Sequence, residues 1–245
     1  MDVTVLFPMA GRGVRFGGTF KPFLRYGDEL FIEAAVRPFR DHLAHIRRFV
    51  FVYLAEQEAA FAARAELARR FAGLPFEVVL LEQPTRGPAE TIAHAAAARG
   101  LTGRTLICDC DHALDVAPLF ADMAAHPDAA CVIPTWSLAG ESLASWSVAA
   151  IAPGGAVTAI AEKAMPVVAE GAPVDCRGVI GCYGFADVAD VARRALAGTA
   201  TNLSDVIAGY LREGRAVRAV SIDHAEFFGD PARLERALGL KPAQI

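Results

Sequence analysis

The chain has 245 residues, 54% apolar and 21% charged, with a formal net charge of −4 at pH 7. That length suits one large or one-and-a-half domains with a substantial core. The mild acidity argues against sequence-independent nucleic-acid binding, which relies on a basic face. No apolar run approaches the roughly 20 residues that span a bilayer, and Met1-Asp2-Val3-Thr4-Val5 has no basic leader of the signal-peptide kind. Five cysteines without a pairing framework read as reduced thiols. The expectation is therefore a cytoplasmic protein with neither membrane nor nucleic acid as a partner.

The first element is a short apolar strand, Val3–Phe7, which opens onto Pro8-Met9-Ala10-Gly11-Arg12-Gly13-Val14-Arg15-Phe16 and then Lys21-Pro22. Glycine reaches torsions that let backbone N–H groups wrap phosphate oxygens, and it admits close approach. Arg15 can add a planar fork and Lys21 a point charge against the same oxygens. The segment reads as a polyphosphate site. It is not a dinucleotide fingerprint, because Phe16 stands where the third glycine belongs. It is not a P-loop either, since G-x-x-x-x-G-K-[ST] occurs nowhere in the chain.

Further along, β-rich runs at Phe49–Tyr53, Phe76–Leu81, Thr105–Cys108 and Ala130–Pro134 alternate with helical stretches. The helices are expected at Ile32–His42, Gln57–Phe71, Ala89–Arg99 and Ala117–Ala125. This rhythm predicts an α/β sheet covered on both faces. The strand ending in Cys108-Asp109-Cys110-Asp111-His112 offers carboxylates at the sheet's C-terminal edge. Hard oxygens there suit Mg²⁺, with Asp111 as first choice of ligand and Asp109 as second. Cys108 and Cys110 lack the second pair a zinc site needs and read as small buried apolar residues.

From Trp136 the rhythm changes. Strands at Ser147–Ala152 and Val157–Ala161 flank the turn Pro153-Gly154-Gly155, and another runs through Val179–Phe185. Helices at Ala186–Ala197 and Leu203–Arg212 precede a strand at Val217–Ile222 and a helix from Pro231. Antiparallel strands after a parallel half make a mixed sheet, with ligands expected outside the strands' carboxyl ends. No hexapeptide repeat announces a β-helix tail.

Gly11-Arg12-Gly13-Val14-Arg15 with Lys21-Pro22 resembles the signature of the sugar-1-phosphate nucleotidyltransferases, the NDP-sugar pyrophosphorylases that include glucose-1-phosphate thymidylyltransferases. Weaker motifs follow in the family's order along nearly the whole chain. Cys110-Asp111-His112 is similar to its G-D-[NH] segment, Ile160-Ala161-Glu162-Lys163 to I-x-E-K, and Gly181-Cys182-Tyr183-Gly184-Phe185 to G-x-Y-x-F. The resemblance implies a three-layer α/β/α, Rossmann-like nucleotide-diphospho-sugar transferase fold with a mixed, mostly parallel central sheet. It implies a single domain over 1–245, with a nucleotide half at 1–135 and a sugar-phosphate half at 136–245.

The implied activity joins an NTP to a sugar-1-phosphate and releases pyrophosphate with Mg²⁺ present. Nucleotide contacts would come from Ala10, Gly11, Gly13, Gln83 and Gly87, where the Gln83 amide can read a base edge and Gly87 allows close approach. Arg15, Lys21 and Lys163 would be the catalytic cations, and Glu162 and Gly181 would meet the sugar. Ser147-Val148-Ala149 stands where the family usually has Gly-Val-Val. Another departure is at the C-terminal end: aligning Gly229 with the family's W-x-D-x-G-T puts Phe227 in place of a metal-binding Asp, leaving Glu226, Asp223 or Asp230 as substitutes. Other readings remain open. Asp109-Cys110-Asp111 is also the D-x-D of a GT-A-type glycosyltransferase. The opening loop is shared by cytidylyltransferases for non-sugar alcohol phosphates, and a non-catalytic nucleotide-sugar sensor would keep the pocket. Base, sugar and oligomeric state, a homo-oligomer included, are left open.

Overall fold

The computed structural model describes residues 1–239. Its early elements are β1 (Val3–Pro8), β2 (Arg25–Tyr26), β3 (Glu29–Leu30), α1 (Phe31–Val36), β4 (Ile46–Leu54), α2 (Ala55–Phe61), α3 (Ala63–Arg70) and β5 (Phe76–Leu81). The middle of the chain forms α4 (Pro88–Arg99), β6 (Thr105–Cys108), β7 (His112–Leu114), α5 (Ala117–Ala125), β8 (Cys131–Trp136), β9 (Ser147–Ile151) and β10 (Val157–Glu162). There follow β11 (Asp175–Val179), β12 (Cys182–Phe185), α6 (Val188–Leu196), α7 (Leu203–Arg212), β13 (Val217–Ser221), β14 (Ala225–Phe227) and α8 (Pro231–Ala237). The class is mixed α/β, as the alternation of apolar runs and Ala-rich stretches predicts. Two compact units interleave along the sequence: one holds Met1–Pro84, Cys108–Val116 and, among the described residues, 224–239, the other Thr85–Ile107 and Ala117–Asp223.

In the first unit β1, β4 and β5 lie side by side in parallel, with Val5 opposite Phe49 and Phe51 opposite Val78. Strands covered on both faces need continuous apolar runs, and Val3, Val5, Leu6 and Phe7 have no solvent exposure. Phe7 stacks on Phe51 at 5.6 Å and meets Phe39 edge-on at 6.3 Å, while Phe51 stacks on Phe71 at 5.3 Å. Each such ring contributes about 1.5–3 kcal/mol through burial.

Two helices differ from expectation. The stretch Gln57–Phe71 is broken at Ala62, whose φ of 46° is left-handed. The break leaves Phe61 on the rings of Phe20 and Phe23, at 5.5 and 6.4 Å, while Ala63 and Leu67 turn into the core. The helix expected at Ile32–His42 stops as α-helix at Val36 and continues as a 3₁₀ helix over Arg37–His45. Pro38 supplies the cause, having no N–H for the α-helical ladder and a ring that crowds the preceding turn.

In the second unit the strand order is β10-β9-β11-β8-β12-β6, with β13 also pairing in parallel with β8. The run expected as one strand, Val179–Phe185, is two, interrupted at Ile180-Gly181. Register aligns one row across this sheet: Ser221 opposite Thr135, Thr135 opposite Val179, Val179 opposite Ser147, and Ser147 opposite Glu162. Directly paired residues share a face, so these side chains look the same way. The Pro153-Gly154-Gly155 turn forms as expected, with φ of 82° and 85° at its two glycines.

Helices α6 and α7 are joined by a charge network. Asp190, 8% exposed, accepts from Arg193 at 2.6 Å and Arg215 at 2.5 Å, and more weakly from Arg194 at 3.4 Å. The guanidiniums of Arg194 and Arg215 lie 4.6 and 4.2 Å from the Tyr210 ring. Burial pushes the Asp190 carboxyl up, but Arg215, the Tyr210 hydroxyl and Arg194 together pull it down to about 2. The unfolded value is near 3.9, so this stabilisation is complete above about pH 4 and is lost as pH falls through about 2. Asp190→Asn is expected to lower stability at neutral pH by about 2 kcal/mol and to flatten the loss between about pH 4 and 2. Urea unfolding at stepped pH checks this; an unchanged acid slope in the variant contradicts it.

Candidate active site

The residues singled out in the sequence fall into two groups, one in each unit. In the first unit the loop after β1 begins where Met9 N–H donates to Val52 O at 2.7 Å. It then folds tightly, with the Gly13 carbonyl accepting from Phe16 N–H at 2.8 Å and Gly18 N–H at 3.1 Å. Gly13 has φ of 60°, and a Cβ there would lie 1.9 Å from Thr19 O, so no other residue fits. Gly11, by contrast, faces open space. Arg15 is exposed and pairs with no carboxylate among the described residues.

Lys21 opens a 3₁₀ turn with Pro22 second, flanked by Phe20 and Phe23. Phe20 is 2% exposed and its ring meets Phe23, Phe61 and Tyr53 at 4.8, 5.5 and 5.9 Å. These aromatic anchors fix the Lys21 backbone, and the ammonium reaches across to hydrogen-bond Asp111 Oδ2. Burial alone would lower the Lys21 pKa; the charge of Asp111, with Cys110 and Asp109 adding to it, raises it instead. Burial likewise opposes ionisation of Asp111, yet His112 and Lys21 hold its carboxyl well below the usual range. Both groups are charged at neutral pH.

The two cysteines before Asp111, Cys108 and Cys110, are buried, as their reading as small apolar residues predicts. Desolvation pushes the Cys110 thiol up to about 12, and Asp109 is exposed. Buried His112 places Nδ1 3.3 Å from Asp111 Oδ1, and its Nε2 has no hydrogen-bond partner among the described residues. Strand β14 pairs antiparallel with β7, Phe227 opposite His112, and Phe228 N–H donates to Asp111 O at 3.0 Å. Fully buried Phe228 packs on Tyr26 and Phe31 at 4.6 and 4.7 Å. This seats Gly229 against Asp111, where a Cβ would come within 2.6 Å of Oδ2.

Two of the three candidate substitutes for the Phe227 position have other tasks. Glu226 accepts from Arg37 at 2.9 Å, and Asp230 caps α8 by accepting from Arg233 N–H at 2.9 Å. Asp223 is an exposed residue of the second unit. Among the described residues no group of three or more His, Cys, Asp or Glu side chains is gathered for a metal. The donor chemistry nevertheless fits Mg²⁺, which takes one or two carboxylates and completes its shell with phosphate oxygens and water.

Gln57 is a residue that sequence reasoning missed. Buried at the start of α2, it accepts Leu54 N–H at 2.8 Å through Oε1 and donates through Nε2 to Gly11 O at 3.0 Å. Its position three residues after a strand end, where Gln commonly closes a helix N-terminus, was the available signal. Beside it a cavity of about 540 Å³ opens between the loop and α2, floored by Phe20 and Phe61. Gln83, from the end of β5, is exposed.

In the second unit Gly87 opens α4. A Cβ there would lie 2.6 Å from Thr201 O, so the close packing of Thr201 is itself a reason for glycine. Glu162 at the end of β10 accepts at a single oxygen, Oε2, from the hydroxyls of Ser147 and Ser204, the latter at 2.8 Å. Buried Ser204, at the start of α7, was also missed, because 42 residues separate it from Glu162. Lys163 is exposed, has a left-handed φ of 54°, and donates its backbone N–H to Trp146 O at 2.9 Å. Such an outlier in a non-glycine residue costs of order 1–3 kcal/mol and tends to cluster at functional sites. Gly181 lies at the break between β11 and β12, and Tyr183 and Phe185 are core residues.

The likeness to known proteins agrees with this class of fold. A nucleoside-diphosphate-sugar pyrophosphorylase from Vibrio cholerae RC9 superposes with a TM-score of 0.76 at 20% identity, covering 96% of this chain and 99% of that one. A UDP-glucose pyrophosphorylase in complex with UDP-glucose gives 0.75 at 16% identity, with 98% of each chain covered. A Bacillus anthracis structure assigned as a glucose-1-phosphate thymidylyltransferase, in complex with sucrose, gives 0.75 at 16%, covering 100% of this chain and 97% of that one. No curated protein matches the chain. Residues 5–175 match the MobA-like NTP transferase domain, and the chain belongs to that family. No helix among the described residues is long and apolar enough to cross a membrane.

Removing Gln57 orphans the buried Leu54 N–H and frees the Gly11 carbonyl. Gln57→Ala is expected to cost about 1–3 kcal/mol of stability and to speed hydrogen exchange across Gly11–Gly18. Unaltered exchange in that segment contradicts the anchoring role.

Proposed function

We propose that this chain is a sugar-1-phosphate nucleotidyltransferase, joining an NTP to a sugar-1-phosphate with release of pyrophosphate. The observation that carries the reading is the Lys21–Asp111 ion pair at the base of a glycine loop whose Arg15 points to no protein acid. A D-x-D glycosyltransferase has no use for a lysine held against the acid at the exit of the glycine loop.

In this account the phosphate oxygen of the sugar-1-phosphate attacks the α-phosphorus in line, and the P–O bond to pyrophosphate breaks. The protein performs no covalent step; positioning and charge stabilisation do the work. The amides around Ala10, Gly11 and Gly13, together with Arg15, hold the leaving pyrophosphate. Lys21 balances charge near the α-phosphorus, and Gln83 and Gly87 face the base. On the sugar side Lys163 orients the attacking phosphate and Gly181 lines the sugar. Because Ser147 and Ser204 both occupy Glu162 Oε2, Oε1 is left to accept a sugar hydroxyl. Mg²⁺ held by Asp111, with Asp109 second, would supply further neutralisation of phosphoryl charge.

Pyrophosphate release with Mg²⁺, each common NTP and a panel of sugar-1-phosphates tests the reading. Release requiring one base and one sugar supports it. Binding of a nucleotide-sugar without release would move the assignment to a sensor. Arg15→Ala or Lys163→Ala should lower turnover by about 10²-fold or more with little change in unfolding midpoint; parallel losses of both would overturn their catalytic role. Ser204→Ala should raise KM for the sugar phosphate several-fold and leave KM for the NTP unchanged, and the reverse pattern would refute its positioning of Glu162.

A further inference from the structure

A separate cavity of about 330 Å³ opens in the second unit at the turn end of β9. It lies on the strand face of Glu162: Ile151 pairs with Asp175 and Ala149 with Arg177, in the rows beyond Ser147. The turn after β9 folds back on β13, where Ala219 N–H donates to Gly155 O at 2.8 Å and Ala156 bridges to Arg218. The contact is close, since a Cβ on Gly155 would sit 3.0 Å from Ala219 O. Small residues at Ala152, Gly155 and Ala219 leave the space, and Ile151, Pro153 and Pro173 give it apolar walls.

Arg177 belongs to this lining. Its Nη1 reaches Asp175 Oδ2 only at 3.4 Å, and that carboxylate is 68% exposed. The buried Nε has no hydrogen-bond partner among the described residues. An unsatisfied buried donor costs about 1–3 kcal/mol, and a guanidinium edge is shaped for two oxygens of one anion. The exposed Ser221 hydroxyl at the rim offers a further donor, whereas Thr135 already donates to Val220 O.

We propose that this cavity is a second ligand site for a small anion with an apolar body. A carboxylate or phosphate monoester pairs with the terminal nitrogens of Arg177, and the body rests on Ile151, Pro153 and Pro173. Four strand residues, about 13 Å, separate Ile151 from Ser147, so one small molecule does not fill this site and reach Glu162 as well. None of the residues assigned to nucleotidyl transfer lines the cavity, and the proposal stands independently of that function.

Calorimetric titration of the full chain with phenyl phosphate, benzoate and uncharged benzyl alcohol tests it. Both anions are expected to bind saturably to the wild type and to Lys21→Met, which excludes the phosphate loop as the site. Affinity should fall about tenfold or more in Arg177→Gln and vanish in Ala152→Trp, which blocks the turn without touching Arg177 and serves if the arginine variant misfolds. Benzyl alcohol should not bind. Undiminished binding in either cavity variant, loss in Lys21→Met alone, or no saturable binding of either anion at millimolar concentration would overturn the proposal. Pyrophosphate release is read separately, so failure here leaves the transferase assignment to its own test.

Discussion

The ion pair between Lys21 and Asp111 is the constraint on which the first unit's site depends. It joins residues 90 positions apart, both only about one-fifth exposed, and so binds the glycine loop's exit to the acid beyond β6. Partial burial makes the pair demanding. Each charge is costly to desolvate alone, and removing one partner strands the other. Everything nearby serves to keep the two ends in place: Phe20 and Phe23 lock the Lys-Pro turn from one side, and Phe228 seats Gly229 against the carboxylate from the other.

A second consequence is a division between rigid and open parts of the loop. Gly13 is fixed by its left-handed torsion and its contact with Thr19, and Gly11 is fixed through Gln57, yet the space outside Gly11 is open and Arg15 extends into solvent. Donors held in place without a protein acceptor are what a polyphosphate requires, because no reorganisation is then needed at the moment of reaction. In the second unit the same logic is applied to an acid. Two serines from distant elements occupy one oxygen of Glu162.

Much of this was legible in the residues because it is local. Parallel strands buried on both faces must be apolar runs, and β1, β5 and β6 begin where those runs begin. The loop was legible because Gly-x-Gly-x-Arg and Lys-Pro each carry a backbone or charge requirement within a few residues. What escaped was set by tertiary contact. The break at Ala62 follows from packing Phe61 on Phe20, which no helical periodicity records. Gln57 and Ser204 look like ordinary helix-start residues until their partners Gly11 and Glu162 are brought beside them. Of the acids offered in place of the Phe227 position, Glu226 is taken by Arg37 and Asp230 by the cap of α8, choices made by the fold rather than the motif.

The claim that the sugar phosphate attacks the α-phosphorus is tested most directly by ³¹P NMR of the products formed from an NTP and a sugar-1-phosphate labelled with ¹⁸O on its phosphoryl oxygens. The account predicts an NDP-sugar whose sugar-side phosphorus keeps all of its label, including the bridging oxygen, and unlabelled pyrophosphate. Label in the pyrophosphate, or a nucleoside monophosphate formed in place of the NDP-sugar, would contradict it.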